Sequence, residues 1–225
     1  METYTRQVAQ VIDVQDDSNA RDLLRQAFEK TARWSADFVG FRASLLCNDN
    51  GTEHWGAARV TMPRTVEVSL PEAGLQQWAQ QQLAMLAGHR AYRSFDQADG
   101  KYVLTLGPQD AHPLGWLVNI YGDGMNSRYR VRDDRICQIQ RTTERVKFTI
   151  NIEDTMTTRD GKILTTRFTV YYFAPDTGRL TQVESFADDY VEVQGVVLPK
   201  SRRVTFAEEG EAKVRMLTLS EHALL

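Results

Sequence analysis

KFTINIEDTMTTRDGKILTTRFTVYYF, residues 147–173, decides the fold. Two runs rich in β-branched and aromatic residues flank Asp160-Gly161, a pair that tolerates the positive backbone dihedrals of a two-residue hairpin loop. So short a connection leaves no room for a crossover, and the runs must be antiparallel neighbours. With Asp160 and Gly161 as the loop, Arg159 faces Lys162, Asp154 faces Arg167, Ile152 faces Thr169, Ile150 faces Tyr171 and Phe148 faces Phe173. That register makes one largely apolar face from Phe148, Ile150, Ile152, Tyr171 and Phe173, and it makes Asp154 and Arg167 a structural cross-strand pair.

The pattern continues in both directions. Downstream, Leu180 to Ala187, Val196 to Phe206 and Lys213 to Leu219 read as strands, with Pro175-Asp176-Thr177-Gly178 marking a longer turn. Upstream, Ser127 to Arg132, Arg135 to Arg141 and Glu144 to Met156 are joined by expected turns at Asp133-Asp134 and Thr142-Thr143. Under those turns Phe148 faces Cys137, which faces Arg130; Val146 faces Ile139, which faces Arg128; and Arg132 faces Arg135. Arg128, Arg130 and Arg132 then border the apolar face. Guanidinium groups at its rim suit a carboxylate, phosphate or sulfonate while the face holds a hydrophobic body. The competing reading is an ordinary solvated edge whose arginines discourage sheet association while Tyr129 and Val131 face the core.

Nearer the start, Leu23, Leu24, Ala27, Phe28 and Ala32 give an amphipathic helix, with Asp17, Ser18 or Asn19 available to cap it. Phe38 to Leu46 reads as a strand ending at Asn50-Gly51, His54 to Val60 returns beside it, and Thr65 to Leu70 adds a third. Ser69, Pro71 and Glu72 predict a capping box opening a second helix, whose apolar stripe is Leu75, Trp78, Ala79, Leu83 and Leu86. Tyr102 to Leu106 and Leu114 to Tyr121 are shorter strands around a stretch broken by Pro108 and Pro113. The expected architecture is α+β: a long curved antiparallel sheet, an incomplete β-barrel of about nine to eleven strands, covered by two main helices. A β-sandwich with peripheral helices is the alternative. The expected organisation is a polar lead over 1–18 and a single domain over 19–225.

Composition narrows the function classes. In 225 residues, 27 Lys plus Arg stand against 30 Asp plus Glu for a formal charge of −3, so there is no global attraction to nucleic acid. No run of apolar residues is long enough for an integral membrane helix, and Met1 to Gln15 hold no signal-like apolar core. Cys47 and Cys137, 90 positions apart, form no disulfide framework and fit a reducing compartment. His54, His89, His112 and His222 lack metal-ligand spacing, so no metal is expected. Asp188-Asp189 and Glu153-Asp154 alternate faces on a strand, which argues against a shared acid/base site. Gly122-Asp123-Gly124 is a turn and not a phosphate cradle. No catalytic residue and no cofactor is assigned.

Across nearly the whole chain, the order of helix, Phe38-Val39-Gly40-Phe41-Arg42-Ala43 strand, Asn50-Gly51 turn, capped helix and long meander resembles a little-characterised soluble protein family of cyanobacteria and plant chloroplasts. That resemblance implies a cytoplasmic or stromal setting and supplies no reaction. The order is also similar in topology to the bacterial lipoprotein-carrier and receptor superfamily, an incomplete β-barrel around helices, which implies a hydrophobic cavity without naming its cargo. The reading carried forward is a soluble, non-catalytic binding or carrier protein for a hydrophobic or anionic amphiphilic ligand such as a lipid or pigment. Its ligand-binding set is Arg128, Arg130, Arg132, Phe148, Ile150, Ile152, Tyr171 and Phe173. The alternative is a protein-interaction or assembly factor with a packed core and a protein partner; an enzyme of unknown class ranks below both.

Overall fold

The computed structural model describes residues 14–225; most of the expected polar lead, residues 1–13, lies outside them. Helix α1 (Ser18–Lys30) starts where Asp17 accepts the amides of Asn19 and Ala20, and it buries Ala20, Leu24, Ala27 and Phe28 along one face. Helix α2 (Ala73–Arg90) is capped by Glu72, whose carboxylate accepts the Leu75 amide at 2.8 Å. The expected capping box is therefore displaced: Ser69 ends a strand, and Glu72 is the cap itself.

The strands are β1 (Gly40–Asp49), β2 (Thr52–Thr61), β3 (Thr65–Ser69), β4 (Val103–Leu106), β5 (Trp116–Tyr121), β6 (Arg128–Arg132), β7 (Arg135–Thr142), β8 (Lys147–Thr157), β9 (Ile163–Phe173), β10 (Leu180–Val193), β11 (Val196–Glu208) and β12 (Glu211–Leu224). They form one antiparallel sheet of twelve strands in the order β3-β2-β1-β12-β11-β10-β9-β8-β7-β6-β5-β4. Chain neighbours are sheet neighbours throughout the meander from β4 to β12, as short turns require. The long return is made by β12, which closes against β1. Strands β3 and β4 are the two ends and do not pair with each other, so the sheet is open. The architecture is thus the expected α+β one, with one strand more than the upper expectation.

The deciding hairpin holds a correction. Thr158 donates to Lys162 O at 2.8 Å and Gly161 to Thr158 O at 3.0 Å, with Gly161 at φ +76°. The loop is therefore the three residues Arg159, Asp160 and Gly161, ended by a left-handed glycine. One extra loop residue shifts the partners: Phe148 faces Tyr172, Ile150 faces Val170, and Ile152 faces Phe168. Because side chains alternate, that slip moves a whole row to the other side of the sheet. Tyr171 and Phe173 stand opposite Thr149 and Lys147 on the face away from Phe148. Asp154 does stand opposite Arg167, at an irregularity in the ladder. No ion pair joins them among the described residues; Asp154 instead accepts the Thr155 amide at 2.8 Å.

The helices cover opposite ends of one face. α2 packs on β1, β2, β3, β11 and β12 through Leu75, Ala79, Leu83, Leu86, Phe41, Leu45, Val60 and Leu217. α1 packs on β4, β5, β6 and β7 through Leu24, Ala27, Phe28, Leu104, Val118, Tyr129 and Val131, with Ile136 and Ile139 of β7 packed against them. Between them Phe168, Val170, Phe186 and Val204 form a smaller cluster on β9, β10 and β11. Arg202 is buried there, bidentate to Asp188 with two contacts of 2.7 Å, and it reaches Gln82 Oε1 of α2 at 3.3 Å. Asp189, the next residue, accepts from Ser201 on the other side of the sheet, so the adjacent acids do part as expected.

Candidate functional site

The candidate site is the strip of sheet left between the two covered ends. Cross-strand pairing carries one row from Tyr129 through Ile139 and Ile150 to Val170, and the next from Arg141 through Phe148 to Tyr172. Of these, Tyr129 and Val170 are buried, while Ile139, Arg141, Phe148, Ile150, Ile152 and Tyr172 stay partly exposed on the helix side. Long antiparallel strands produce this row because every second residue of β8 from Phe148 to Ile152 is apolar. The far edge is polar: Tyr172 donates its hydroxyl to Glu184 Oε2 at 3.1 Å, and burial pushes both groups' pKa values up.

A basic cluster adjoins the strip where α2 ends and α1's exit segment passes. The Arg33 guanidinium lies 3.7 Å from the centre of the Phe28 ring, and Arg93 lies 6.0 Å from the same ring. Arg141 donates to the Tyr129 hydroxyl at 3.0 Å. Arg90, buried under α2, sits 5.2 Å from the Trp34 ring and 5.8 Å from that of Tyr190. Desolvation lowers Arg33 and Arg90 to about 10, and in Arg33 the charges of Arg93 and Arg90 add to it. Burial raises the Asp99 carboxyl although Arg141, Arg93 and Arg33 all pull it down. His89 keeps an exposed side chain, yet so much protein surrounds it that desolvation, helped by Arg202, Arg93, Arg141 and Arg33, lowers it to about 4. His89 is therefore neutral at pH 7.

The expected arginine row lies elsewhere. A bulge between Arg130 and Val131 sets Arg128 opposite Gln140 and Arg130 opposite Gln138, while Arg132 faces Arg135 as anticipated. Tyr129 and Val131 point to the helices, so Arg128, Arg130 and Arg132 occupy the opposite face. Arg130 is bidentate to Asp110 at 2.8 Å on both arms and donates to Gly115 O at 3.0 Å; Arg132 donates to Pro113 O. These two brace the loop before β5, and Arg128 is exposed. The structure thus gathers Phe148, Ile150 and Ile152 of the expected set and separates them from Arg128, Arg130, Arg132, Tyr171 and Phe173. Sequence reasoning missed Arg33, His89, Arg93, Asp99 and Arg141. Only Arg141 carried a signal, as a charged residue two positions beyond Ile139 on an otherwise apolar row.

Two open depressions lie away from the strip. One of about 550 Å³ is on the helix-free face of β1 to β3, lined by Arg42, Ser44, Ala57, Arg59, Glu67 and Glu221 among others. The second, about 430 Å³, sits at the turns around Asn126 and Glu144. Among the described residues no group of three or more His, Cys, Asp or Glu is placed to hold a metal ion, and no helix is long and apolar enough to cross a membrane.

A family model with the description "Protein of unknown function (DUF3386)" matches residues 15–225. No curated protein matches the sequence. Among solved structures, a LolA superfamily protein from Nitrosomonas europaea is similar at 12% identity, with 92% of this chain and 93% of that one covered and a TM-score of 0.40. A putative outer membrane lipoprotein-sorting protein domain from Vibrio parahaemolyticus is similar at 8% identity, with 92% of each chain covered and a TM-score of 0.38. A chain of the Pseudomonas aeruginosa MucA/MucB complex shares 11% identity over 89% of this chain and 93% of that one, with a TM-score of 0.25.

Proposed function

The chain belongs to the DUF3386 family, whose description names no activity, and from the geometry of the site we propose that it is a non-catalytic binding or carrier protein for a hydrophobic or amphiphilic molecule. One observation carries the reading: Phe148, Ile150 and Ile152 line up on the helix side of the sheet and remain partly exposed beside the Phe168–Val170–Phe186 cluster. Apolar surface of this kind gains roughly 25 cal/mol for each Å² that a ligand covers. The strip offers an elongated apolar body a floor with basic groups at one end.

Native mass spectrometry of the gently purified chain, followed by denaturation, tests this. The expected result is a bound small molecule with an apolar chain or ring system, absent from an Ile150→Asp variant that keeps wild-type circular dichroism. A wild-type chain that carries no ligand and also fails to enhance the fluorescence of N-phenyl-1-naphthylamine contradicts it.

A second reading, a protein-interaction role, is favoured by the helix-free face. There Trp55 is 63% exposed, and Val214 and Met216 of β12 are exposed on the same side, as the pairing of Trp55 with Leu46 and of Asn48 with Met216 places them.

A further inference from the structure

Four guanidiniums gather around the end of α2 and outnumber the carboxylates near them. Arg33 and Arg93 share the Phe28 ring, Phe28 and Tyr129 belong to one apolar cluster, and Arg141 is tied to the Tyr129 hydroxyl. Arg90 lies beneath, against Trp34. Among the described residues none of the four is in an ion pair. The Nε atoms of Arg33, Arg90 and Arg141 and the Nη1 atom of Arg90 are buried and donate to no described acceptor.

Such an arrangement is costly in an empty protein. Buried charged groups are normally paired, and a buried donor without an acceptor forfeits its hydration with nothing in exchange. Here the like charges also repel. Asp99 is the acid on which Arg33, Arg93 and Arg141 all act; Asp123 also acts on Arg141 and Asp160 on Arg90, none of them within ion-pair distance. Arg33 donates to Phe28 O and Thr31 O, Arg93 to Gly88 O and Arg90 to Val197 O, which uses only part of each five-donor array; the remaining planar donors match the oxygens of a carboxylate or phosphate. Arg141 stands directly opposite Phe148 in the β7–β8 ladder, so the basic cluster adjoins the apolar strip.

We infer that Arg33, Arg93 and Arg141 form the head-group site for an oxyanion, a carboxylate or phosphate, whose apolar body lies along Phe148 and Ile150. The apolar half of this assignment rests on the ligand-binding reading above; the anion half stands on the cluster itself. Arg90 backs the site from beneath, against Trp34.

Isothermal titration calorimetry of the whole chain in a low-ionic-strength chloride buffer separates the two halves, using decanoate, decyl phosphate, decanol and inorganic phosphate. Decanoate and decyl phosphate are expected to bind at least about tenfold more tightly than decanol. Arg141→Gln and the exposed-site variant Arg93→Gln should each remove most of that difference and leave decanol unchanged. Arg128→Gln, on the other face, should change nothing. Thermal melts confirm that each variant is folded, and Arg93→Gln serves if Arg141→Gln is not.

Decanol binding as tightly as decanoate overturns the head-group site while the apolar strip stands. If no decyl compound binds, the ligand reading fails. The anion site then survives only if inorganic phosphate binds and Arg141→Gln abolishes it, which would mark a site for a free anion. No binding of phosphate either overturns both.

Discussion

At the scale of single residues, Arg202 shows how α2 is fixed to the sheet. Its guanidinium is bidentate to Asp188 and lies against the stacked rings of Phe168 and Phe186, and Arg202 is 1% exposed. Removing one member of such a pair strands a buried charge, so Arg202→Met is expected to lower stability by about 3–5 kcal/mol, measured as a shift in urea midpoint. The double variant Arg202→Met/Asp188→Leu should recover most of that loss; a single variant within about 1 kcal/mol of wild type contradicts the assignment. His89 gives a pH signature. Its folded pKa of about 4 lies below the ordinary 6.5, so between those values the unfolded chain holds the extra proton and stability falls as pH falls. His89→Gln should therefore show a shallower loss of stability from pH 6.5 to 4 in equilibrium unfolding, and an unchanged slope would mean that the folded chain does not desolvate the histidine. Neither role was legible in the sequence. Arg202 is one of several arginines on a strand, and His89 acquires its setting from charges contributed by four separate segments.

Among the elements, glycines mark where the sheet is tightest. A Cβ on Gly56 would stand 1.8 Å from Ser69 O, inside the β2–β3 pairing, whereas one on Gly88 in the last turn of α2 would meet nothing within 4 Å. Gly56→Ala should destabilise by about 1–3 kcal/mol and loosen the β3 edge, while Gly88→Ala should stabilise by about 0.5–1 kcal/mol. Thermal melts of the two variants read both signs; a harmless Gly56→Ala would mean that the β2–β3 pairing is looser than the register implies. Element type was largely written in the sequence, because short turns and alternating apolar residues leave little choice. Register was not. Asp160-Gly161 looked like a two-residue loop, but Arg159 joins it, and that one residue replaced Tyr171 and Phe173 with Tyr172 beside Phe148. The bulge at Arg130 has no sequence mark, and the loop acid that Arg130 grips, Asp110, lies in a stretch with no periodicity to place it.

Over the whole molecule, the two helices are too few to roof twelve strands. Each covers one end of the open sheet, and between them the helix side of β8 and β9 keeps apolar side chains that are only partly buried. Of the expected face, Phe148, Ile150 and Ile152 stand together while Tyr171 and Phe173 lie on the other side of the sheet, and the cations beside it are Arg33, Arg93 and Arg141 in place of Arg128, Arg130 and Arg132. The direct test is a methyl-selective NMR titration of the isoleucine-labelled chain with decanoate. The predicted result is that the δ1 methyls of Ile139, Ile150 and Ile152 shift together and saturably while Ile163, at the far end of β9, stays in place; saturable binding that leaves the Ile150 and Ile152 methyls unmoved would contradict it.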